Sequence, residues 1–416
     1  MTRPTSVPTA AAAQGAPQPA PLPVLGRQRA IRAVYMRGGT SKGVFLRDQD
    51  LPPPGPLRDR VLLRVLGSPD PYGKQIDGMG GASSSTSKVI VVAPSSRPDC
   101  DVQYVFGQVS VDAPLVDWSG NCGNLTAAVG PFAIASGLVP PPPPGAGHAM
   151  VRMWQATLGK RIDARVPLLP DGQVAEDGDF ELDGVTFPAA EIRVEFLDPA
   201  GGDGQPLLPT GRLVDVLDVP GVGRIEATLI TAGNPTVIVE AKTLGLSGGE
   251  LQPDVNGDAR LLARCEAVRA HGAAAMGLAA SAEDATRNRP ATPKLALVAP
   301  PCAYRASSGK PVASKDMDLS TRILSMGVLH HALTGTGSIA LAVAASLPGT
   351  LAHRVRAPAA AGDALLRLGH PSGTLAVGAE LHQDGGGAWV IDKAVVSRSA
   401  RRLMAGEVYV PERAFA

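Results

Sequence analysis

Most of the chain alternates short apolar runs with turns rich in glycine or proline. Runs of this length, bounded by turn residues, predict β-strands. They occur in both halves of the sequence, whereas a charged segment at 260–276 predicts a helix. The predicted strands are IRAVYM, GVFL, KVIVVA, VQYVFGQVSV, MVRMWQA, KRIDARV and EIRVEFL in the first half, and GRIEATLI, PTVIVEA and KLALVAP in the second.

Two further segments, 124–138 and 338–347, are apolar on all sides and predict helices that are buried all round. A polar, glycine-rich loop precedes each. Placing Cys122 over Thr334, 212 residues later (334 − 122), aligns the two loops and their helices as a weak internal repeat. We therefore predict an α+β fold of two β-rich, barrel-like domains, each enclosing a central helix.

Composition suggests where these domains begin and end. Residues 1–26 are rich in proline and alanine and almost uncharged, which predicts a disordered arm. The glycine-rich segment at 200–204 is the best internal boundary. The predicted domains are 27–205 and 206–390.

Charge and cysteine usage exclude several classes of protein. With 39 Lys and Arg against 38 Asp and Glu, the chain has no excess charge to attract nucleic acid or an anionic membrane. Its longest near-candidate for an apolar span, 338–347, is well short of the roughly 18 residues that a membrane helix needs. The four cysteines form no CxxC pair, so we expect reduced thiols and a cytoplasmic protein.

The loops before the two apolar helices are candidate anion sites, because helix N-termini present unpaired N–H groups and a positive dipole end. The alternative is that their small residues serve only as caps and turns. Cys122 lies in the first loop, where a helix N-terminus favours its thiolate. The alternative for Cys122 is that a small residue was needed there.

Lys88 stands at the start of the apolar strand VIVVA, after a stretch of small residues at 78–87. A lysine held against apolar strands loses hydration, which makes it a candidate general base near neutral pH. The alternative is a strand-edge lysine whose ammonium reaches solvent.

His330 and His331 are expected to end a helix. The sequence has no Walker, GxGxxG or HExxH motif, so we expect no cofactor and no metal.

Seven segments together resemble the 2-methylaconitate cis–trans isomerase family, and they span most of the chain after residue 30. They are RGGTSKGVFL (37–46), GSPDPYGKQIDGMGGASSSTSKV (67–89), DWSGNCGNLTAAVGPFAI (117–134), FELDGVTFPAAE (180–191), LSMGVLHHALTGTG (324–337), GHPSGTL (369–375) and SRSARRLMAGEVYVP (397–411). The resemblance implies a diaminopimelate epimerase-like fold with the active site between its domains. It also implies that a terminal segment, 391–416, returns to the first domain.

By this resemblance, Lys88 matches an essential lysine and Cys122 an active-site cysteine. Thr334 occupies the place of the second cysteine of the epimerases, which argues against a two-thiol mechanism. Other residues of the loops are expected to hold substrate carboxylates. These are Thr40, Ser41, Ser85, Asn121, Gly123, Asn124, Gly335, Thr336, Gly337 and Ser338.

The resemblance implies conversion of 2-methyl-trans-aconitate to its cis isomer by removal and return of an allylic proton, in propionate breakdown through the methylcitrate cycle. It also implies a functional pairing with an iron–sulfur 2-methylcitrate dehydratase. A keto–enol tautomerase acting on a 4-oxalomesaconate-like acid is one alternative. A stabilising partner of the dehydratase, without chemistry of its own, is another.

Overall fold

Strands dominate the computed structural model, which describes residues 26–140, 142–201, 206–358, 365–387 and 389–416. Its α-helices are α1 Pro56–Leu66, α2 Gly123–Ala135, α3 Gln252–Asn256, α4 Ala259–Ala275, α5 Ala282–Asn288, α6 Gly335–Ser346 and α7 Leu351–Val355. Its strands are β1 Gln28–Gly38, β2 Ser41–Arg47, β3 Lys88–Pro94, β4 Val102–Val109, β5 Val116–Asp117, β6 His148–Gln155, β7 Lys160–Pro167, β8 Ile192–Leu197, β9 Asp215–Val219, β10 Gly223–Ala232, β11 Asn234–Glu240, β12 Lys294–Ala299, β13 Tyr304–Arg305, β14 Pro311–Val312, β15 Leu319–Ser325, β16 Val328–Leu329, β17 Leu365–His370, β18 Gly373–Gln383, β19 Trp389–Arg398 and β20 Ala400–Pro411.

The two halves pair their strands in the same order. In the first half, β1–β2 is antiparallel, β2–β3 parallel, β3–β4 antiparallel, β4–β6 parallel, and β6–β7 and β7–β8 antiparallel. The second half repeats this series through β10, β11, β12, β15, β17, β18 and β19. The weak repeat in the sequence therefore reflects a repeat in strand topology.

Each half wraps its strands around one helix. Helix α2 packs on β1, β2, β3, β6, β7, β8 and β20, and α6 packs on β10, β11, β12, β18 and β19. Almost every residue of both helices is buried, which explains why their sequences have no polar face. Helix α2 continues through Pro131. The predicted α+β fold with two helix-enclosing barrels is confirmed.

The N-termini of α2 and α6 lie directly against each other. A Cβ atom on Gly123 would lie 2.7 Å from the backbone nitrogen of Thr336, and one on Gly335 would lie 2.5 Å from the carbonyl carbon of Gly123. Only glycine permits this approach of the two backbones. The sequence thus brings its two predicted anion-binding loops to one place.

The last two strands of the chain, β19 and β20, both pair with strands of the first half. Strand β8 pairs antiparallel with β19, which makes one continuous 18-stranded sheet. Strand β20 pairs with β1 from Gln28↔Pro411 to Gly38↔Ala400. All of the predicted arm except Gly26, and residues 202–204 of the predicted boundary, lie outside the described residues. The domain limits therefore stay a prediction.

Candidate active site

Lys88 is the first residue of β3, opposite Gln108 on β4. Its Nζ donates a hydrogen bond to Gln108 Oε1 and lies 5.0 Å from the centre of the Phe106 ring. The side chain is buried, and none of the described carboxylates forms an ion pair with it. Burial lowers the pKa of Lys88, because it disfavours the charged form, and a Cys122 thiolate would oppose this shift.

Cys122 is the N-cap residue of α2, and its Sγ accepts a long hydrogen bond of 3.5 Å from the backbone N–H of Leu125. The thiol is buried. The side chains of Lys88, Lys294 and Arg398 are close enough to Cys122 that a thiolate there would raise the pKa of each. Cys122 therefore lies among basic side chains at a helix N-terminus.

Arg398 is a candidate site residue that was not predicted from the sequence, although it lies within the segment SRSARRLMAGEVYVP. It ends β19, is 1% exposed, and donates to Asn124 Oδ1 at 3.0 Å and to the Ser397 carbonyl at 2.9 Å. Burial lowers its pKa to about 10, which leaves it charged at neutral pH. Within the described ranges it has no carboxylate partner, which makes it a candidate anchor for a ligand carboxylate.

Four buried polar atoms near the helix N-termini have no hydrogen-bond partner. They are Ser41 Oγ, Asn121 Nδ2, Asn234 Nδ2 and Thr334 Oγ1. Asn234, which the sequence argument also missed, begins β11 and accepts a hydrogen bond from the Asn121 backbone N–H at 3.3 Å. Buried polar groups rarely lack a partner, so this cluster of open donors indicates a position for a polar ligand.

Other predicted residues hold the site together. Asn124 donates to Thr40 Oγ1 at 3.0 Å and to the Leu333 carbonyl at 3.4 Å, while its Oδ1 accepts from Arg398. Its amide therefore ties the β1–β2 turn to the second helix loop. The Thr336 hydroxyl donates to the Asn121 carbonyl at 3.4 Å, which also links the two helix ends.

Two predicted residues of α6 are accounted for by contacts within their own half of the molecule. The Ser338 hydroxyl donates to the Gly335 carbonyl at 2.6 Å, so it is used within its own helix. A Cβ atom on Gly337 would lie 2.2 Å from Ile323 Cδ1. Gly337 is therefore explained by close packing on β15.

Ser85 contacts a histidine pair. Its Oγ lies 3.2 Å from His330 Nε2 and 3.0 Å from His331 Nδ1. The expectation that these histidines end a helix is wrong, since they follow strand β16, which pairs with β15. Burial lowers the pKa of both, and for His330 the nearby His331 and Lys88 lower it further, so both rings are neutral at pH 7.

A cleft of about 890 Å³ opens beside this pair. Thr40, Ser41, Ser85 and both histidines are among its lining residues, whereas Lys88 and Cys122 are buried and do not line it. His330 lines the cleft and is also near enough to Lys88 for the charge of the lysine to lower the pKa of its ring. Among the described residues, no group of three or more His, Cys, Asp and Glu side chains is arranged to hold a metal ion, and no helix has the length and apolar character to cross a membrane.

The PrpF protein family matches residues 28–411 of this chain. The chain belongs to this family. A 2-methyl-aconitate isomerase of Shewanella oneidensis is 57% identical over 391 residues, which are 92% of this chain and 97% of the relative. The family resemblance found in the sequence is therefore confirmed, and this PrpF protein is an enzyme, an isomerase.

Solved structures agree with this assignment. The crystal structure of a methylitaconate-delta-isomerase matches with a TM-score of 0.72 at 38% identity, covering 94% of this PrpF chain and 98% of its own. A hydroxyproline epimerase from Agrobacterium vitis matches with a TM-score of 0.52 at 14% identity, covering 92% and 93% of the two chains. The second match shows the epimerase-like fold alone.

Proposed function

We propose that this isomerase converts 2-methyl-trans-aconitate to 2-methyl-cis-aconitate. The observation that carries the proposal is the meeting of two helix N-termini near buried Lys88 and Arg398, with open hydrogen-bond donors and no carboxylate paired to either side chain among the described residues. Burying the Arg398 cation without a partner is costly, so such a site favours a ligand that brings negative charge. The 57% identity to a 2-methyl-aconitate isomerase supports the choice among unsaturated tricarboxylates.

In the proposed reaction, the neutral amine of Lys88 removes a proton from the allylic carbon. The C–H bond breaks and an N–H bond forms, while the electron pair spreads over the allyl system and its carboxylate. The former double bond is then free to turn before the ammonium returns the proton. Burial supports this role because it lowers the pKa of Lys88 toward the working pH.

The developing negative charge is stabilised by fixed donors. Backbone N–H groups at the starts of α2 and α6 supply part of this, since each preorganised donor in a comparable oxyanion site contributes on the order of 3 kcal/mol. In this proposal, Arg398 holds one substrate carboxylate, and the open donors of Ser41, Asn121 and Thr334 hold others. Cys122 assists as an acid or orients the substrate.

The proposed chemistry changes no oxidation state, so we propose that no cofactor is needed. Turnover should then survive dialysis against a chelator, and activity that only added Zn²⁺, Mg²⁺ or Fe²⁺ restores would contradict this. We further propose that the enzyme acts in the cytoplasm, beside an iron–sulfur dehydratase of the methylcitrate cycle that supplies the trans isomer.

Proton NMR of the purified protein with 2-methyl-trans-aconitate tests the function, with trans-aconitate in a separate sample. We expect the signals of the cis isomer to appear in the sample with the methylated acid. Turnover in the sample with trans-aconitate should be slower. In D₂O, deuterium should enter the allylic position, because an ammonium exchanges its protons with solvent. No change in either spectrum, together with turnover of a 4-oxalomesaconate-like acid, would show that the tautomerase alternative is right.

A further inference from the structure

The repeat in topology gives Lys88 a counterpart in the second half. Lys294 is the first residue of β12, as Lys88 is the first residue of β3, and these two strands hold the same place in the pairing series. Each of these strands is parallel to the strand before it in the series and antiparallel to the strand after it. Lys294 does not stand out in the sequence, because it begins an ordinary apolar strand, KLALVAP, without a stretch of small residues before it.

The contacts of the two lysines also correspond. Lys88 Nζ donates to the side chain of Gln108, the residue opposite it on β4. Lys294 Nζ donates to Ser325 Oγ at 2.8 Å, and Ser325 ends β15 next to the pair Leu295↔Leu324. Both amines therefore point to the same side of their strands and end on a neutral oxygen.

Lys294 is buried and shares its surroundings with Lys88. It is 7% exposed, and among the described residues it forms no ion pair with a carboxylate. Burial lowers its pKa to about 7, with a further lowering by the charges of Lys88 and Arg269, while Asp117 and a Cys122 thiolate act in the opposite direction. His330 is close enough to both lysines to respond to their charges.

We propose that Lys294 is a second acid–base residue of this active site, and that Lys88 and Lys294 hold one proton between them in the working enzyme. The pair then supplies an amine and an ammonium on opposite barrels, at the place where the two helix N-termini meet. The identity of the substrate in this proposal rests on the proposed function, whereas the sharing of the proton does not.

This arrangement gives the allylic reaction both of the groups that it needs. The amine of one lysine takes the proton, so that the C–H bond breaks and an N–H bond forms. The ammonium of the other stabilises the allyl anion and returns a proton to carbon, with its N–H electron pair left on nitrogen. The net proton count is unchanged, and no oxidant or further reactant is needed. A second ammonium also makes the first lysine easier to deprotonate.

The pH dependence of kcat/KM for Lys294→Met and Lys294→Arg tests this pairing. We expect Lys294→Met to lower kcat by about 10²-fold or more, as for loss of a general acid or base. Its acidic limb should move to higher pH, because Lys88 no longer faces a second cation. Lys294→Arg should be equally slow, because arginine does not give up its proton, but its acidic limb should not move upward. Lys242→Met, at an exposed lysine, is the matched control and should behave as wild type.

Two outcomes would overturn the proposal. One is a Lys294→Met enzyme within about threefold of wild-type kcat with an unchanged pH profile, since acid–base loss costs far more. The other is recovery of turnover by Lys294→Arg, which would show that Lys294 supplies only a charge.

Nitrogen-15 NMR of the lysine Nζ groups gives a readout that needs no substrate. In the wild-type protein, the Nζ resonance that is missing from the Lys294→Arg spectrum should titrate near neutral pH, far below the exposed lysines. In Lys88→Met, the same resonance should titrate at higher pH. A Lys294 Nζ that stays protonated through pH 9 in wild type would overturn the proposal. If the lysines titrate as expected but 2-methyl-trans-aconitate is not converted, then the proposed function has failed and the pair remains.

Discussion

The two halves of the molecule share one frame but differ where their helices begin. In the first half, Cys122 caps α2 and its Sγ accepts from the Leu125 N–H. In the second half, Thr334 is the N-cap of α6, but its side chain makes no capping hydrogen bond and its hydroxyl has no partner. The N-cap side chain of α2 therefore accepts a hydrogen bond from its own helix, whereas the N-cap side chain of α6 leaves a hydroxyl donor open for a ligand.

The N-cap residues differ between the two halves, whereas each half has a buried lysine. Lys88 and Lys294 occupy matching places, yet their partners differ, an amide oxygen for Lys88 and a hydroxyl for Lys294. A symmetric frame thus holds an asymmetric site. Such asymmetry suits a reaction in which one end of the substrate loses a proton and the other is held by its carboxylates.

Replacing Lys88 should cause the largest loss. Lys88→Met keeps most of the aliphatic stem but removes the proposed base, so kcat should fall by the ~10²–10⁴-fold typical of lost general-base catalysis. Deuterium incorporation from D₂O should disappear with turnover. Proton NMR measures both, with Lys242→Met as the control. If Lys88→Met exchanges normally while Cys122→Ala is inactive, the thiol is the base.

The frame was more predictable from the sequence than the site. Helices α2 and α6 were found because sequences that are apolar on every side have few alternatives to full burial, and α4 was predicted within one residue of each end. Helix α1 was missed, although Pro56 at its start and Gly67 after its end are ordinary helix signals. Unlike α2 and α6, it has charged residues along its length and so does not stand out as an apolar segment.

The site residues that were missed share a physical reason. Arg398 lies in a polar, arginine-rich stretch, and Asn234 in a strand start, so neither differs in the sequence from a surface residue. Their proposed roles depend on burial near the start of α2, which strand pairing over long sequence separations creates. Lys88 and Cys122, in contrast, stand beside unusual glycine-rich and serine-rich loops that are visible in the sequence.

Replacing Arg398 tests whether this side chain binds a substrate carboxylate. Arg398→Lys keeps the charge but loses the planar fork, and with it the hydrogen bond to Asn124. A charge-assisted hydrogen bond is worth about 1.5–3 kcal/mol, so KM should rise by about 10–100-fold while kcat changes less. Steady-state kinetics measures this, with the exposed Arg354→Lys as the control. An unchanged KM would remove Arg398 from the binding site.

Removing the thiol at the first helix end should have a smaller effect than removing either lysine. Cys122→Ala deletes the side-chain cap on Leu125 N–H but keeps the backbone donors of α2, which come from the main chain. We expect kcat to fall by about tenfold, within the range for a single assisting group. A loss as large as that of Lys88→Met, measured in the same NMR assay, would make Cys122 an equal partner in proton transfer.

The smallest effect is expected at the second helix end, where Thr334→Val replaces an unpartnered hydroxyl with a methyl group of similar shape. Removing a buried polar group that has no partner is close to neutral or slightly stabilising, so thermal unfolding should occur at the same or a slightly higher temperature. If the hydroxyl binds a substrate carboxylate, KM should still rise, by about threefold to tenfold for one hydrogen bond of roughly 0.5–1.5 kcal/mol. Increased stability with weaker substrate binding would show that the open donor is kept for the ligand. Reduced stability with unchanged KM would instead show that Thr334 completes the α6 cap, and that both helix ends satisfy themselves in the same way.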